Sequence, residues 1–229
     1  MKNLFLVSLY CFMSLFLLVG CVGSSGVNPD ARPPKKGAAS LEDYNIFLNQ
    51  SLMIPPGKHA RHLNRMIKPR YVTIHSTQNR ASSAGARMHA RALYNGNLKS
   101  KNNAVGYLSW HYTVDQSNIY QHLPDTEEGQ HADYEGPGNK KSIGIEMCEN
   151  AGTSREATLD RTARLTAYLM RLHRIPLDNV VPHQHWRRIR YSDGRDLGHK
   201  NCPHFLMDNG KPGPKWEAFK GRIRSYLNK

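Results

Sequence analysis

The stretch SIGIEMCEN, Ser142 to Asn150, decides the fold. Its first seven residues, Ser142 to Cys148, read as a strand, and successive side chains of a strand point to opposite faces. Ile143, Ile145 and Met147 therefore share one face, suited to packing on helices, while Gly144, Glu146 and Cys148 share the other. A lone carboxylate between core-strand residues is costly to bury unless it is paired or functional. Gly144 beside it leaves room for something to approach. From this strand alone, Glu146 is either half of a structural salt bridge or a working group.

Working outward, Tyr71–His75 is β-branched and aromatic and reads as a second strand. Ser109–Val114 and Ile119–Leu123 read as two more, joined as a hairpin by the turn Asp115–Asn118, and Val180–Val181 as a short buried strand. Between them lie helix patterns. One covers Ala84–Tyr94. A second is capped by Ser154, puts Leu165, Tyr168, Leu169 and Leu172 on one face, and is stopped by Pro176. A third is opened by Pro214 and carries Trp216, Phe219, Ile223 and Leu227 on one stripe. Ser40-Leu41-Glu42-Asp43 reads as a helix start with an acid three residues after the cap. Strands interleaved with helices in this way give an α/β fold, a sheet with helices packed on it.

The chain has 229 residues, and its 39% hydrophobic content is too low for a multi-span membrane protein. Its formal net charge of +14 points to polyanionic partners: nucleic acid, anionic lipid or an anionic cell-wall polymer. The start of the chain chooses among them. A short positive end, Met1-Lys2-Asn3, precedes an apolar run from Leu4 to Val19, which reads as a secretory signal. Leu18-Val19-Gly20-Cys21 then resembles a bacterial lipobox, in which the Cys21 thiol is acylated. Residues 1–20 are thus expected to be a lipoprotein-type signal peptide. Residues 21–39, a Gly, Ser, Pro and Lys-rich stretch, are expected to be the lipidated cysteine and a flexible tether, and residues 40–229 one domain without internal repeats. Export and lipidation argue against a nucleic-acid binder.

Three segments carry the chemistry: IHST with His75, the strand with Glu146, and VVPHQHW followed by GHKNCPHFL, with His183, Lys200 and Cys202. Two imidazoles and a thiolate, far apart in sequence, form a three-ligand set suited to zinc with one position open to water, the pattern of a catalytic site. His185 and His199 remain rival ligands. His183 and His185 are two apart, so in an extended chain both point the same way and spacing cannot separate them.

From about Arg70 to Phe205 the chain resembles the zinc-dependent N-acetylmuramoyl-L-alanine amidases of the second type, kin of peptidoglycan recognition proteins and phage amidase lysozymes. The resemblance rests on YVTIHST, LSWHYTVDQSNIYQHLP, QHADYEGPGNKKSIGIEMCEN, and VVPHQHW with KNCPH, spaced motifs in the family's order. It implies a single domain with a central mixed β-sheet flanked by helices. It also implies hydrolysis of the amide bond between N-acetylmuramic acid and L-alanine by a zinc-activated water. By residue, it makes His75, His183 and Cys202 the zinc ligands, Glu146 the catalytic carboxylate, Lys200 the stabiliser of the transition state, and Trp110 and His131 part of the substrate cleft. Some members have a catalytic Tyr where this chain has Trp110; an indole is no acid or base near neutral pH, so the proton work falls to Glu146. Metal ligation by Cys202 argues against a Cys148–Cys202 disulfide and leaves Cys148 as a small buried residue.

The chain departs from the family in one place: RRIRYSDGRDL, 187–197, separates Trp186 from Gly198 where relatives have a short loop. This basic insertion is either a reader of anionic substrate or a solvated loop. The partners implied are peptidoglycan or muropeptides and, through the anchor, a membrane, with the chain itself a monomer. The location implied is the cell envelope, on the periplasmic face of the outer membrane where there are two membranes, since Val22 rather than Asp follows Cys21. Two other readings share the fold: a binding module that does not cut, and a released toxin or lysin of the same chemistry, to which an anchor gives nothing.

Overall fold

A computed structural model describes residues 39–100, 106–190 and 192–228, all within the unit Ala31–Lys229. The leader, Cys21 and the tether as far as residue 38 lie outside the described residues. Strand β5 (Ser142–Met147) sits inside a six-stranded sheet. Its parallel neighbours are β2 (Tyr71–Ser76) and β3 (Tyr112–Val114). Beyond β2 lies β6 (Val180–Pro182), also parallel; beyond β3 come β4 (Ile119–Gln121), antiparallel, and β1 (Leu48–Asn49), parallel to β4. The sheet is mixed, as expected. In the β3–β4 hairpin the expected turn closes through Asp115, whose Oδ1 accepts from the backbone N–H groups of Ser117 and Asn118 at 2.8 and 2.7 Å.

Four helices complete the main architecture: α1 (Ala86–Tyr94), the short α2 (Pro137–Lys141), α3 (Arg155–His173) and α4 (Pro214–Leu227). Ile143, Ile145 and Met147 of β5 are fully buried and pack with Val72 and Ile74 of β2 against Leu165 and Leu169 of α3 and Phe219 and Ile223 of α4. Each such side chain contributes ~1.5–3 kcal/mol by leaving water. Ser154 caps α3 as expected, accepting from Ala157 N–H at 3.2 Å.

The burial of α3 departs from the expected stripe. Leu165 and Leu169 are fully buried as expected, but Leu172 is 45% exposed, and Thr158, Thr162 and Thr166 join the buried face. Their hydroxyls donate to the carbonyls four residues earlier, at 3.1, 2.7 and 2.8 Å, so each polar atom is satisfied within the helix and the methyl is free to pack. The helix start at Ser40 shrinks to a single 3-10 turn, Glu42–Tyr44, although Ser40 and Asp43 exchange the two expected hydrogen bonds, 3.0 and 3.2 Å. Strand β3 begins at Tyr112 rather than Ser109, because the His111 ring takes a ladder partner: its Nδ1 accepts from Gly144 N–H at 3.0 Å. The inserted segment is no open loop. It forms an antiparallel hairpin, β7 (Arg187–Ile189) with β8 (Asp196–His199). A last small hairpin, β9 (Met207–Asp208) with β10 (Lys211–Pro212), leads into α4.

Candidate metal centre and its cleft

Parallel pairing of β2 with β5 sets His75 directly beside Glu146 in register. β6 runs along the other side of β2, and the chain leaves it in a 3-10 turn, His183–His185. In that turn neighbouring residues step about 120° apart. Hence His183 and His185 do not point the same way, as an extended chain would make them. His183 turns inward and is buried; His185 turns out against the rings of Tyr71 and Trp186. His199 is also exposed, its Nδ1–H donating to the Gln184 carbonyl at 2.7 Å. Cys202 is fully buried, its Sγ accepting from the backbone N–H of Ser76 at 3.4 Å.

His75, His183 and Cys202 thereby converge, with their donor atoms all within 4.8 Å of one another. His183 Nε2–H donates to the Ala132 carbonyl at 2.9 Å, which leaves Nδ1 as a lone pair in the neutral ring. That Nδ1 lies 2.9 Å from His75 Nδ1, while His75 Nε2 lies 3.0 Å from His131 Nδ1. Burial drives His183 down to about 3, with Lys200 acting in the same direction, and holds His75 and His131 well below the ordinary histidine value. The rings are therefore neutral ligands rather than cations. Burial pushes the Cys202 thiol up to about 12, with Glu146 adding to the shift, so the thiolate needs a cation beside it. Two imidazoles set nitrogen to nitrogen and a thiol in one dry corner fit a borderline-soft divalent cation.

Glu146 completes the corner. Its Oε1 is 3.9 Å from His75 Nδ1, and its Oε2 is buried without a hydrogen-bond partner. Burial raises it to about 8, partly offset by Lys200. A bound divalent cation would pull it back down. Among the described residues Glu146 makes no ion pair with Arg or Lys, which removes the structural salt bridge as its explanation. The other face of β5 behaves as expected elsewhere too: Cys148 is a free, buried thiol against Ala86 and Ala90 of α1, and Cys202 is also free.

Glu146 and His183 open into a cleft of ≈ 290 Å³ whose walls include Trp110, His131, Arg188 and Lys200. Trp110 presents only ring surface, since its Nε1–H is turned inward onto Thr113 Oγ1 at 2.7 Å. His131 does more than line the wall, because its Nδ1 lies against His75. The structure thus lines one cleft with Trp110, His131, Glu146, His183 and Lys200, and sets the other two expected site residues of the folded domain, His75 and Cys202, beside His183. Cys21 lies outside the described residues.

Two contributors went unrecognised in the sequence. Asn139 Oδ1 accepts from the N–H groups of His131 and Ala132 at 2.9 and 2.8 Å, which fixes both His131 and the carbonyl that orients His183. Asp133 in turn accepts from Gly138 and Asn139 N–H at 2.7 and 2.9 Å. The turn-rich stretch EGPGN was the available signal. The other is Arg188, whose letter is one among four arginines of the insertion.

Residues 65–205 match the family described as N-acetylmuramoyl-L-alanine amidase. The chain is 41% identical over 159 residues to the N-acetylmuramoyl-L-alanine amidase CwlH of Bacillus subtilis (strain 168), covering 69% of this chain and 54% of that protein. It is 40% identical over 171 residues to the amidase XlyA of the same organism, covering 74% and 49%. The chain thus spans about half the length of the curated relatives it matches. The solved structure of the catalytic domain of XlyA superposes with a TM-score of 0.62 at 37% identity, covering 78% of this chain and 99% of that one.

Proposed function

Since this chain belongs to the N-acetylmuramoyl-L-alanine amidase family, we propose that it hydrolyses the amide bond between N-acetylmuramic acid and L-alanine in peptidoglycan, with zinc as its metal. One observation carries the reading. His75, His183 and Cys202 converge beside a buried carboxylate that has an unpartnered oxygen and opens into a cleft. His75, His183 and Cys202 would hold the zinc, which would supply Lewis acidity enough to let water ionise at about pH 7.

The chain's own residues do the rest. Glu146 accepts a proton from the attacking water at its carboxylate and returns it to the departing nitrogen of L-alanine, a contribution of about 10²–10⁴ in rate. Lys200 follows β8 directly and turns its ammonium into the same cleft, where it stabilises negative charge growing on the lactyl carbonyl oxygen. His131 and the Ala132 carbonyl hold the two imidazoles in orientation, as outer partners of ligating histidines do. The ring of Trp110 gives the substrate an apolar wall and takes no proton. A complete set of this kind favours cutting over mere binding of wall fragments.

The proposal extends to location. The apolar run Leu4–Val19 and the sequence Leu18–Cys21 support export and acylation of Cys21, with the domain held at the cell envelope. In a two-membrane cell, Val22 supports the outer membrane. Among the described residues no helix is long and apolar enough to cross a membrane; the attachment proposed is the lipid on Cys21. The anchor also favours a resident envelope protein over a released lysin.

The test is digestion of purified cell wall followed by mass spectrometry. Free stem peptides beginning with L-alanine, with glycan strands otherwise intact, are expected. Retention of muropeptides on the protein with every peptide still attached to its sugar would favour the recognition-module reading instead.

A further inference from the structure

The inserted hairpin carries an uncompensated cation into the cleft. Two of its arginines are neutralised within the hairpin: Arg187 pairs with Asp196, and Arg190 with Asp193 at 3.1 Å. Arg188 lies on β7 next to Arg187, and alternation turns it to the face opposite Arg187. Its guanidinium donates to the carbonyls of Leu197 at 3.0 Å and Gly198 at 3.3 Å on the facing strand. It meets no carboxylate among the described residues, and it lines the cleft together with Glu146, His183 and Lys200. Two carbonyls use only part of a five-donor fork. The remaining donors form a fixed, half-buried positive group beside the reaction site, a geometry matched to a carboxylate.

We propose that Arg188 is a specificity subsite for the free α-carboxylate of the second stem-peptide residue, one residue beyond the L-alanine whose bond is cut. The inference rests on the amidase reading. The lactyl carboxyl of muramic acid is consumed in the scissile amide, and the carboxyl of L-alanine in the next peptide bond. The first free carboxylate along the substrate is therefore that of a γ-linked D-glutamate. A wall chemistry that amidates this carboxylate removes the partner of Arg188, so the hairpin discriminates between the two forms.

The experiment compares the purified protein on N-acetylmuramoyl-L-alanyl-D-glutamate and on the same molecule with the α-carboxylate amidated. Both kcat/KM values are measured, along with binding of each compound by calorimetry. The parent protein is expected to favour the carboxylate form about tenfold or more, the scale of a hydrogen bond to a charged group. In Arg188→Met that ratio falls toward one, and Arg188→Lys restores part of it. Because Arg188 also braces the hairpin, the readout is the ratio of the two substrates: equal losses on both leave the ratio unchanged and overturn the inference. Equal use of both forms by the parent also overturns it. If the parent cleaves neither compound, the amidase reading fails. The calorimetric ratio still decides on Arg188, with equal binding of the two forms counting against the subsite.

Discussion

A thiol buried as deeply as Cys202 holds its proton in the absence of a cation, and His183, with Nε2–H committed to Ala132, has one lone pair left to offer. Both facts suit these residues to holding a metal. His75→Ala and Cys202→Ala are accordingly expected to lose bound zinc and hydrolysis together, measured as metal per chain by atomic absorption beside turnover. His185→Ala, which removes a ring packed against Tyr71 and edge-on to Trp186 at the surface, is expected to keep about one zinc per chain, as an intact three-ligand site would. Loss of metal in His185→Ala with retention in His75→Ala would reverse the ligand assignment. At this scale the sequence was nearly sufficient, because the ligands and Glu146 sit in recognisable motifs. The match of VVPH to the family favoured His183 over His185; the 3-10 turn adds that His183 is the one facing inward, which letter spacing does not encode.

Strand β5 shows how an element makes the site. A Cβ on Gly144 would lie 2.8 Å from Cγ and Nδ1 of His131, whose own backbone is tied to Asn139. Gly144→Ala must therefore push the His131 ring away from His75. Its expected effects are a stability loss of ~1–3 kcal/mol from overpacking and lower turnover, read from urea unfolding and peptide release. Gly221 in α4 provides the contrast. Nothing lies within 4 Å of a Cβ there, so Gly221→Ala is expected to stabilise by ~0.5–1 kcal/mol through helix propensity. Equal destabilisation by both would show that His131 is not the constraint. Five of the six strands of the sheet were legible from β-branched, aromatic or alternating apolar letters; the two-residue β1, Leu48–Asn49, was not. On the buried face of α3, Leu165 and Leu169 were legible; Thr158, Thr162 and Thr166 were not, because they read as polar while their hydroxyls are satisfied by the helix's own carbonyls. The β7–β8 hairpin was hidden for a similar reason: its sequence is charged, and cross-strand pairing of Arg187 with Asp196 rather than apolar burial marks it.

For the molecule as a whole, the proposal joins a basic amidase domain to a chain start acylated at Cys21. Cys21→Ser removes both the acceptor thiol and the processing signal, so metabolic labelling with a fatty acid is expected to leave the variant unlabelled and its precursor unprocessed. Continued labelling would contradict the anchor. The central claim is that sheet, cleft and metal corner serve one reaction in which Glu146 moves the proton. Glu146→Gln keeps the size and hydrogen-bonding capacity of the side chain, touches no proposed ligand, and removes the proton acceptor. The decisive measurement is release of free peptide from a muramoyl-peptide by the parent and by Glu146→Gln, with zinc content determined in the same samples. The account predicts unchanged zinc and a fall in turnover of about two orders of magnitude or more; undiminished turnover with zinc retained would contradict it.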